Sequence, residues 1–287
     1  MLAAVLTARD HVGAGTAMLT EAGVDSPRAD AEWLLAGLLA IGRAELRLRL
    51  DRVIAPTIVD RYAVAVGRRA RREPLQRILG WEEFRGLRLR LTDDVLVPRP
   101  ETELLAGWAL ELLPPPPARP LAVDVGTGSG CVACALAAER TDAHVIATDR
   151  SASAAAVARD NARALGLDGR VSVAAGDLLG SLRARADVIV SNPPYLPGGA
   201  IDALTPEVAR WDPRAALDGG PDGLVLIRAL IAAAPASLAP GGALVLETGG
   251  GAQIEAARAW MRAAGFVETA TRVDLTGVVR FVAGRVD

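Results

Sequence analysis

The residues best suited to chemistry lie in one short loop, Ser191-Asn192-Pro193-Pro194-Tyr195. Asn192 has a side-chain carbonyl and Pro193 a backbone carbonyl, so the loop offers two hydrogen-bond acceptors close together. Each acceptor can take one N–H of a planar NH2 group, while the ring of Tyr195 lies against its flat face. We therefore predict a substrate site for an amide or aromatic amine, formed by residues 192–195, in which Asn192, Pro193 and Tyr195 are catalytic.

The position of this loop in the chain strengthens the prediction. It follows an apolar, β-branched run over residues 186–190, which is typical of a buried parallel strand. Prolines cannot donate ladder hydrogen bonds, so the strand ends there and the loop is stiff. Open α/β sheets bind ligands at the carboxyl ends of their strands. Taken alone, residues 192–195 would fit a rigid turn equally well, but this placement favours a site.

A second candidate site is the glycine-rich turn Gly126-Thr127-Gly128-Ser129-Gly130, which follows the apolar strand 121–125. Glycines allow a tight turn and let a ligand touch the backbone. Asp149 ends the next strand, where a carboxylate can hold ribose hydroxyls, and Asp177 follows the third strand. A nicotinamide enzyme would share these features, but the spacing of the glycines does not match G-x-G-x-x-G. Asp149, Asp177 and Asn192 each close a successive strand, so we predict one shared pocket.

The elements that must position these residues follow from the periodicity. Strands and helices alternate from residue 121 onward, which predicts an α/β fold with a mostly parallel, seven-stranded sheet. Upstream, helices are predicted over 2–22, from Ser26-Pro27, around 44–49 and from Pro56. The alternation within 75–97 predicts a β-hairpin, and a helix over 101–113 ends at a polyproline stop, 114–117. The predicted domains are a helical bundle over 1–74, a hairpin linker over 75–97 and a catalytic domain over 98–287.

Composition excludes several classes of protein. The 287 residues suit two domains, and a formal net charge of −2 argues against binding nucleic acid mainly through phosphates. Cys131 and Cys134 lie in a predicted helix among small apolar residues, so core packing is favoured over a redox or metal pair, and we expect no metal site. An N-terminus charged too early for a secretory signal, and apolar runs too short for a membrane span, predict a cytoplasmic protein. The basic run 68–72 is either a solvated helix end or a docking patch for an acidic partner or RNA.

The pattern Asp-x-Gly-x-Gly-x-Gly from Asp124 resembles the S-adenosyl-L-methionine loop of class I, Rossmann-like methyltransferases. The chain as a whole resembles the release factor glutamine methyltransferases (the HemK/PrmC family). The motifs that carry this resemblance are residues 74–80 (PLQRILG), 97–103 (VPRPETE), 124–130 (DVGTGSG), 191–195 (SNPPY) and 212–224 (DPRAALDGGPDGL). The resemblance covers nearly the whole length of the chain.

The resemblance implies methyl transfer from S-adenosyl-L-methionine to the amide nitrogen of the Gly-Gly-Gln glutamine in class 1 peptide chain release factors. It implies a substrate-binding helical domain, with S-adenosyl-L-homocysteine as product. The cofactor residues implied are Gly126, Thr127, Gly128, Ser129, Gly130, Asp149, Asp177, Leu178 and Asn192. Leu178 departs from the aromatic residue that some members have beside the adenine. We expect a monomer with no nucleic-acid substrate.

Two alternatives remain open from the sequence. An adenine-N6 methyltransferase acting on DNA or RNA would use the same Asn-Pro-Pro-Tyr loop on a flipped base. A non-catalytic binding protein could retain a methyltransferase scaffold. The acidic net charge argues against the first, and the intact glycine loop, Asp149 and Asn192 argue against the second.

Overall fold

A computed structural model describes residues 6–116, 118–180 and 182–287. The chain forms two compact units. The smaller contains the residues up to Gly80 together with Thr205–Trp211, and the larger contains Trp81–Leu204 and Asp212–Asp287. These limits differ from the predicted division at residues 74 and 97, because the hairpin groups with the larger unit and a later segment joins the smaller one.

The smaller unit is helical. Its helices are α1 (Ala8–Glu21), α2 (Pro27–Leu38), α3 (Arg43–Leu48), α4 (Pro56–Ala70) and α5 (Leu75–Leu79). Proline occupies the first turn of α2 and α4, as predicted, since its missing N–H needs no partner there. Residues 2–5 of the predicted first helix lie outside the described residues. Part of the hairpin prediction was wrong: 75–79 is helical, and Gly80 ends it in a left-handed conformation (φ 79°).

Charged side chains are paired inside this unit. Arg69 is buried and contacts Asp30 Oδ2 at 2.7 Å and Glu207 Oε1 at 2.9 Å. Arg72 binds the same Glu207 carboxylate through two nitrogens, and Arg68 pairs with Glu73. Three arginines of the basic run are therefore engaged by carboxylates of their own unit, which does not favour the docking-patch interpretation.

The larger unit is built on a seven-stranded sheet with the order β5-β4-β3-β6-β7-β9-β8. Its strands are β3 (Leu121–Val125), β4 (His144–Asp149), β5 (Val171–Ala175), β6 (Ala186–Ser191), β7 (Leu238–Glu247), β8 (Glu268–Val273) and β9 (Val279–Arg285). The pairings among the first five are parallel, whereas β9 pairs antiparallel with both β7 and β8 and is the one reversed strand of the seven described, so the mostly parallel sheet is confirmed. A separate hairpin, β1 (Trp81–Phe84) and β2 (Leu87–Arg90), precedes it.

Helices cover the sheet on both faces, and each face has its own apolar core. The helices are α6 (Pro100–Leu112), α7 (Cys131–Glu139), α8 (Ala152–Ala164), α10 (Val225–Ser237) and α11 (Ala252–Ala263); α9 (Pro206–Ala209) belongs to the smaller unit. Cys131 and Cys134 are buried in the first of these cores, as predicted, and burial raises the pKa of each thiol to about 12. Within the described ranges, no helix has the length and apolar character that a bilayer span requires.

The sheet register brings the predicted residues to one edge. Val125 pairs with Thr148 on one side and with Ser191 on the other, and Ser191 pairs with Leu246. The residues that follow these strands therefore emerge side by side, since all four strands are parallel. This edge carries the glycine turn, Asp149, the Asn192 loop and, at the end of β7, Glu247.

Candidate active site

A cavity of about 380 Å³ opens at the carboxyl edge of the sheet. This volume lies within the range of small-molecule pockets. Eight of the predicted site residues line it: Gly126, Gly128, Asp149, Asp177, Leu178, Asn192, Pro193 and Pro194. The residues over 93–96 also contribute to its wall, which the sequence interpretation did not anticipate.

The glycine turn is held from beneath by a buried acid. Asp124 Oδ2 accepts hydrogen bonds from Thr127 Oγ1 at 2.6 Å and from the backbone N–H of Ala133 at 3.1 Å. Burial raises the pKa of Asp124 to about 6, although both hydrogen bonds oppose this rise. Gly126, Gly128 and Gly130 have φ values of 72°, 54° and 80°, a region that side chains disfavour. The turn therefore needs both its acid and its glycines.

Thr127, Ser129 and Gly130 shape the turn without lining the cavity. Thr127 and Ser129 are buried, and the Ser129 carbonyl accepts a hydrogen bond from Asn161 Nδ2 at 2.8 Å. A Cβ on Gly130 would lie 3.1 Å from the Ala158 backbone, so Gly130 is where the turn packs against α8. Their direct contact with a cofactor stays a prediction.

Asp149 links the glycine turn to the end of β4. Its Oδ2 accepts from the backbone N–H of Gly128 and its Oδ1 from that of Ser151, both at 2.9 Å. A carboxylate oxygen has a second lone pair, so each can accept one further donor from the cavity. This arrangement suits a pair of ligand hydroxyls.

The Asp177-Leu178 turn closes another side of the cavity. Leu178 has a φ of 47°, which is unusual for a branched, bulky residue. The Leu178 backbone carbonyl lies 3.5 Å from the hydroxyl of Thr148 on β4. Backbone strain of this kind persists where the surrounding structure imposes it, and it is common at ligand sites.

The Asn-Pro-Pro-Tyr loop is fixed by neighbouring backbone. Ser191 Oγ donates to the Val125 carbonyl at 2.6 Å, which ties the loop to β3. Leu196 exchanges two backbone hydrogen bonds with the segment 217–219, at 3.0 and 2.8 Å. Gly223 leaves no room for a side chain, because a Cβ there would overlap the Tyr195 carbonyl oxygen. The loop is thus rigid through packing as well as through its prolines.

The Asn192 carboxamide has one end paired within the protein. Asn192 Nδ2 donates to Thr102 Oγ1 at 3.0 Å, and Thr102 Oγ1 donates to Glu247 Oε2 at 3.0 Å. Among the described residues, no donor is paired with Asn192 Oδ1. The side-chain oxygen is therefore available as an acceptor on a residue that lines the cavity, and its contact with a substrate stays a prediction.

Tyr195 lies outside the lining of the cavity. Its hydroxyl donates to Glu247 Oε1 at 3.3 Å, and its ring packs against the apolar core beneath α10 and α11. Burial raises the pKa of Tyr195. In this structure Tyr195 supports the loop from behind, and its stacking on a substrate amide stays a prediction.

Glu247 was missed by the sequence interpretation. It is 1% exposed at the end of β7 and accepts from both Thr102 and Tyr195. Burial raises the pKa of Glu247 to about 7, although the Thr102 hydrogen bond and the charge of Arg280 oppose this rise. The signal that singled out Asp149, an acid that ends a parallel strand, applies equally to Glu247.

Comparison with known proteins places the chain in a family. Residues 12–80 match the model of the PrmC N-terminal domain, and residues 107–210 match that of the methyltransferase small domain. The release factor glutamine methyltransferase of Cereibacter sphaeroides is 43% identical, over 98% of this chain and 99% of the relative. The protein of the same name from Deinococcus radiodurans is 44% identical, over 96% and 98%. The chain belongs to the release factor glutamine methyltransferase family.

The fold of this family member also occurs in distant methyltransferases. A 16S rRNA N2 G1207 methyltransferase from T. thermophilus, solved with AdoMet and guanosine, superimposes with a TM-score of 0.52 at 20% identity. The match covers 72% of this chain and 50% of that protein. At this identity the likeness concerns the fold alone.

The family member shows no candidate metal site in its described residues. No group of three or more histidine, cysteine or acidic side chains there could hold a metal ion. Asp149 at the cavity accepts from two backbone N–H groups, and Asp124 beneath the glycine turn accepts from the Thr127 hydroxyl.

Proposed function

We propose that this methyltransferase transfers a methyl group from S-adenosyl-L-methionine to the side-chain amide nitrogen of the glutamine in the Gly-Gly-Gln motif of class 1 release factors. The observation that carries the proposal is the pairing of Asn192: its NH2 is held by Thr102 while its oxygen is left as an acceptor at the cavity. A carboxamide substrate presents the two N–H donors that Asn192 Oδ1 and the Pro193 carbonyl would accept.

The cavity suits S-adenosyl-L-methionine. Asp149 offers acceptors for the two ribose hydroxyls, and Leu178 and Leu226 give apolar surface that an adenine ring can cover. Gly126 and Gly128 have no side chain, and a Cβ added at either would meet nothing within 4 Å. The space beside the turn is therefore open, and a ligand can approach the backbone closely there. We propose that Gly126, Gly128, Asp149, Asp177 and Leu178 contact the cofactor directly.

The protein's part in the reaction is to orient the amide. Delocalisation into the carbonyl makes an amide nitrogen a poor nucleophile. Asn192 Oδ1 and the Pro193 carbonyl hold both N–H bonds, so the nitrogen lone pair faces the methyl carbon. As the N–C bond forms, the nitrogen becomes positive, and the two carbonyl dipoles stabilise that charge.

S-adenosyl-L-methionine supplies, when bound, an electrophilic methyl on a sulfonium, and the C–S bonding pair returns to sulfur to give S-adenosyl-L-homocysteine. The substrate nitrogen afterwards releases one N–H proton to water, so no protein base is required. Tyr195, which is directed at Glu247, stabilises the loop from behind. We propose that the enzyme acts as a monomer, in the cytoplasm where release factors work.

The experiment that tests this function is mass spectrometry of a release factor after incubation with enzyme and labelled S-adenosyl-L-methionine. One added methyl on the Gly-Gly-Gln glutamine is the expected product. DNA containing adenine serves as a second substrate arm. Methylation of the DNA, with none of the release factor, would refute the proposal.

The role of Asn192 is tested by single turnover at saturating substrates. Replacing a group that stabilises charge in the transition state costs about 100-fold or more in rate, and we expect this for Asn192→Ala. Cofactor binding by calorimetry shows whether the variant's pocket is intact. An Asn192→Ala enzyme as fast as the wild type would contradict the mechanism.

A further inference from the structure

A chain of hydrogen bonds runs from the proposed substrate acceptor into the protein core. It begins at Asn192 Nδ2, passes through Thr102 Oγ1 at 3.0 Å and ends on Glu247 Oε2 at 3.0 Å. Thr102 is 3% exposed and Glu247 is 1% exposed, so solvent does not replace either partner. Tyr195 OH occupies the other carboxylate oxygen, Oε1. In the proposed methyl transfer Thr102 serves only as the partner of the Asn192 NH2, and Glu247 only as the partner of Tyr195.

The direction of these hydrogen bonds is fixed by chemistry. An ionised carboxylate only accepts hydrogen bonds, so Glu247 takes the single hydroxyl proton of Thr102. Thr102 Oγ1 then has no proton left for Asn192 and acts toward it only as an acceptor. The Asn192 carboxamide must therefore present its NH2 to Thr102, and its oxygen is turned to the other side.

We propose that Thr102 and Glu247 are positioning residues, which determine that the oxygen of the Asn192 carboxamide, rather than its NH2, is the group offered to the substrate amide. This inference rests on the proposed function, because it concerns how the same site recognises an NH2 group. If the Asn192 carboxamide were flipped, its NH2 group would face the NH2 group of the substrate amide. Asn192 would then accept no hydrogen bond from the substrate.

The same chain can be reversed by protonation of Glu247. A proton on Oε2 donates to Thr102, whose hydroxyl then donates to Asn192 and selects the flipped carboxamide. Burial raises the pKa of Glu247 to about 7, which puts this change in the working range. The active orientation of the Asn192 carboxamide thus requires an ionised Glu247. We therefore expect the rate of methyl transfer to rise as the pH increases through about 7.

Several charged groups face Glu247 and act on its proton. On α6, the charge of Glu101 raises the pKa of Glu247, and the hydrogen bond from Thr102 lowers it. On β9, the charge of Arg280 also lowers the pKa of Glu247, and Arg280 itself pairs with Asp274 at 2.8 Å. From the loop after β6, Tyr195 donates a hydrogen bond, and Arg99 acts on Tyr195 in turn. None of these groups contacts Asn192 through a described hydrogen bond, so Thr102 alone connects the carboxylate to the carboxamide.

The decisive comparison is between Thr102→Ser, which keeps the hydroxyl, and Thr102→Val, which keeps the shape. Methyl transfer to a release factor is measured under single-turnover conditions at saturating substrates, from about pH 6 to about pH 9. We expect the wild type and Thr102→Ser to show an acid limb with an apparent pKa near 7. Thr102→Val is expected to lose about tenfold or more in rate at pH 8, with KM for the release factor little changed, because misorientation acts on the transition state. Its acid limb should disappear.

Glu247→Gln provides an independent arm if Thr102→Val fails to fold. The variant cannot titrate, so its rate should be flat across the same range. A Thr102→Val enzyme equal to Thr102→Ser in rate, or an acid limb that persists in Glu247→Gln, would overturn the inference. Failure of the proposed function looks different: the wild type itself would leave the tip glutamine unmethylated in the mass spectrum.

Discussion

The carboxylate of Asp149 accepts a hydrogen bond from the backbone N–H of Gly128 at 2.9 Å. The acid proposed to bind the cofactor thus also fixes the turn on which the cofactor would lie. Its other oxygen accepts from Ser151 N–H, at the beginning of α8. Binding and loop geometry therefore depend on one side chain.

Asp149→Asn is expected to weaken S-adenosyl-L-methionine binding by about tenfold or more. Asparagine has one side-chain oxygen, so its NH2 group must face one of the two backbone N–H groups that Asp149 accepts from. Hydrogen bonds to charged groups contribute about 1.5–3 kcal/mol, and this contribution is lost. Isothermal titration calorimetry measures the effect. Asp168→Asn, an exposed acid near the end of α8, is the matched control and should bind normally. Equal affinity in both variants would argue against a cofactor role for Asp149.

Alanine at two glycines of the turn should separate binding from stability. Each substitution forces a side chain into a positive φ, at about 1–2 kcal/mol. Gly130→Ala adds a clash with the Ala158 backbone, at about 1–3 kcal/mol more, whereas a Cβ on Gly128 meets nothing within 4 Å. Urea unfolding should show Gly130→Ala as the less stable variant. Cofactor titration should show a loss in Gly128→Ala, because Gly128 lines the cavity.

Gly223→Ala should damage catalysis from outside the cavity. The added Cβ would overlap the Tyr195 carbonyl oxygen and push the Asn192 loop out of place. A shift of about 1 Å in a positioned group can cost about 100-fold in rate. Gly199→Ala, where a Cβ meets nothing within 4 Å, is the control. If both variants turn over at the wild-type rate, the loop does not depend on this packing.

The stability of the larger unit should depend on Glu247 near neutral pH. Its pKa is raised in the folded state, from 4.5 to about 7, so the stabilisation linked to its proton is complete below about pH 4.5 and lost as pH rises through 7. The shift corresponds to about 3 kcal/mol at most. Glu247→Gln should therefore lose less stability than the wild type between about pH 5 and pH 8. Parallel curves of urea midpoint against pH would contradict this.

Glu207 should stabilise the smaller unit at higher pH, whereas Glu247 stabilises the larger unit at lower pH. Burial opposes the shift, but hydrogen bonds from Arg72 and Arg69 lower the pKa of Glu207 to about 2. The stabilisation it gives is present above pH 4.5 and lost as pH falls through 2. Glu207→Gln should therefore lose less stability than the wild type as the pH falls, which unfolding followed by circular dichroism can measure. Glu45→Gln, in an exposed pair with Arg49, should change the curve little.

The sequence was sufficient for much of the larger unit. Asp149 and Asn192 could be placed together because parallel strands end at one edge, and the register confirms that edge. The orientation of Asn192 could not be predicted, since it depends on Thr102, which is 90 residues away in the chain. Tyr195 illustrates the same limit, because which side of a loop a ring occupies is decided by packing partners such as Glu247.

Other differences also have local causes. The segment 75–79 was assigned to a hairpin because its apolar residues alternate too briefly to separate a single helical turn from a strand. The short helical turns over 198–216 lack a clear periodicity and were not predicted. The membership of residues 205–211 in the smaller unit depends on Glu207 meeting Arg69 and Arg72, a long-range pairing that no local pattern reveals.

That discontinuity restricts how the protein can be divided. Cleavage after Gly80 would leave Thr205–Trp211 on the catalytic fragment, with the Glu207 carboxylate stripped of both guanidinium partners. The released helical fragment would in turn hold Arg69, already desolvated, with one acid fewer to neutralise it. Truncations at the apparent boundary should therefore weaken both halves, and a shortened enzyme would need residues 205–211 redesigned before its activity could be compared with that of the intact chain.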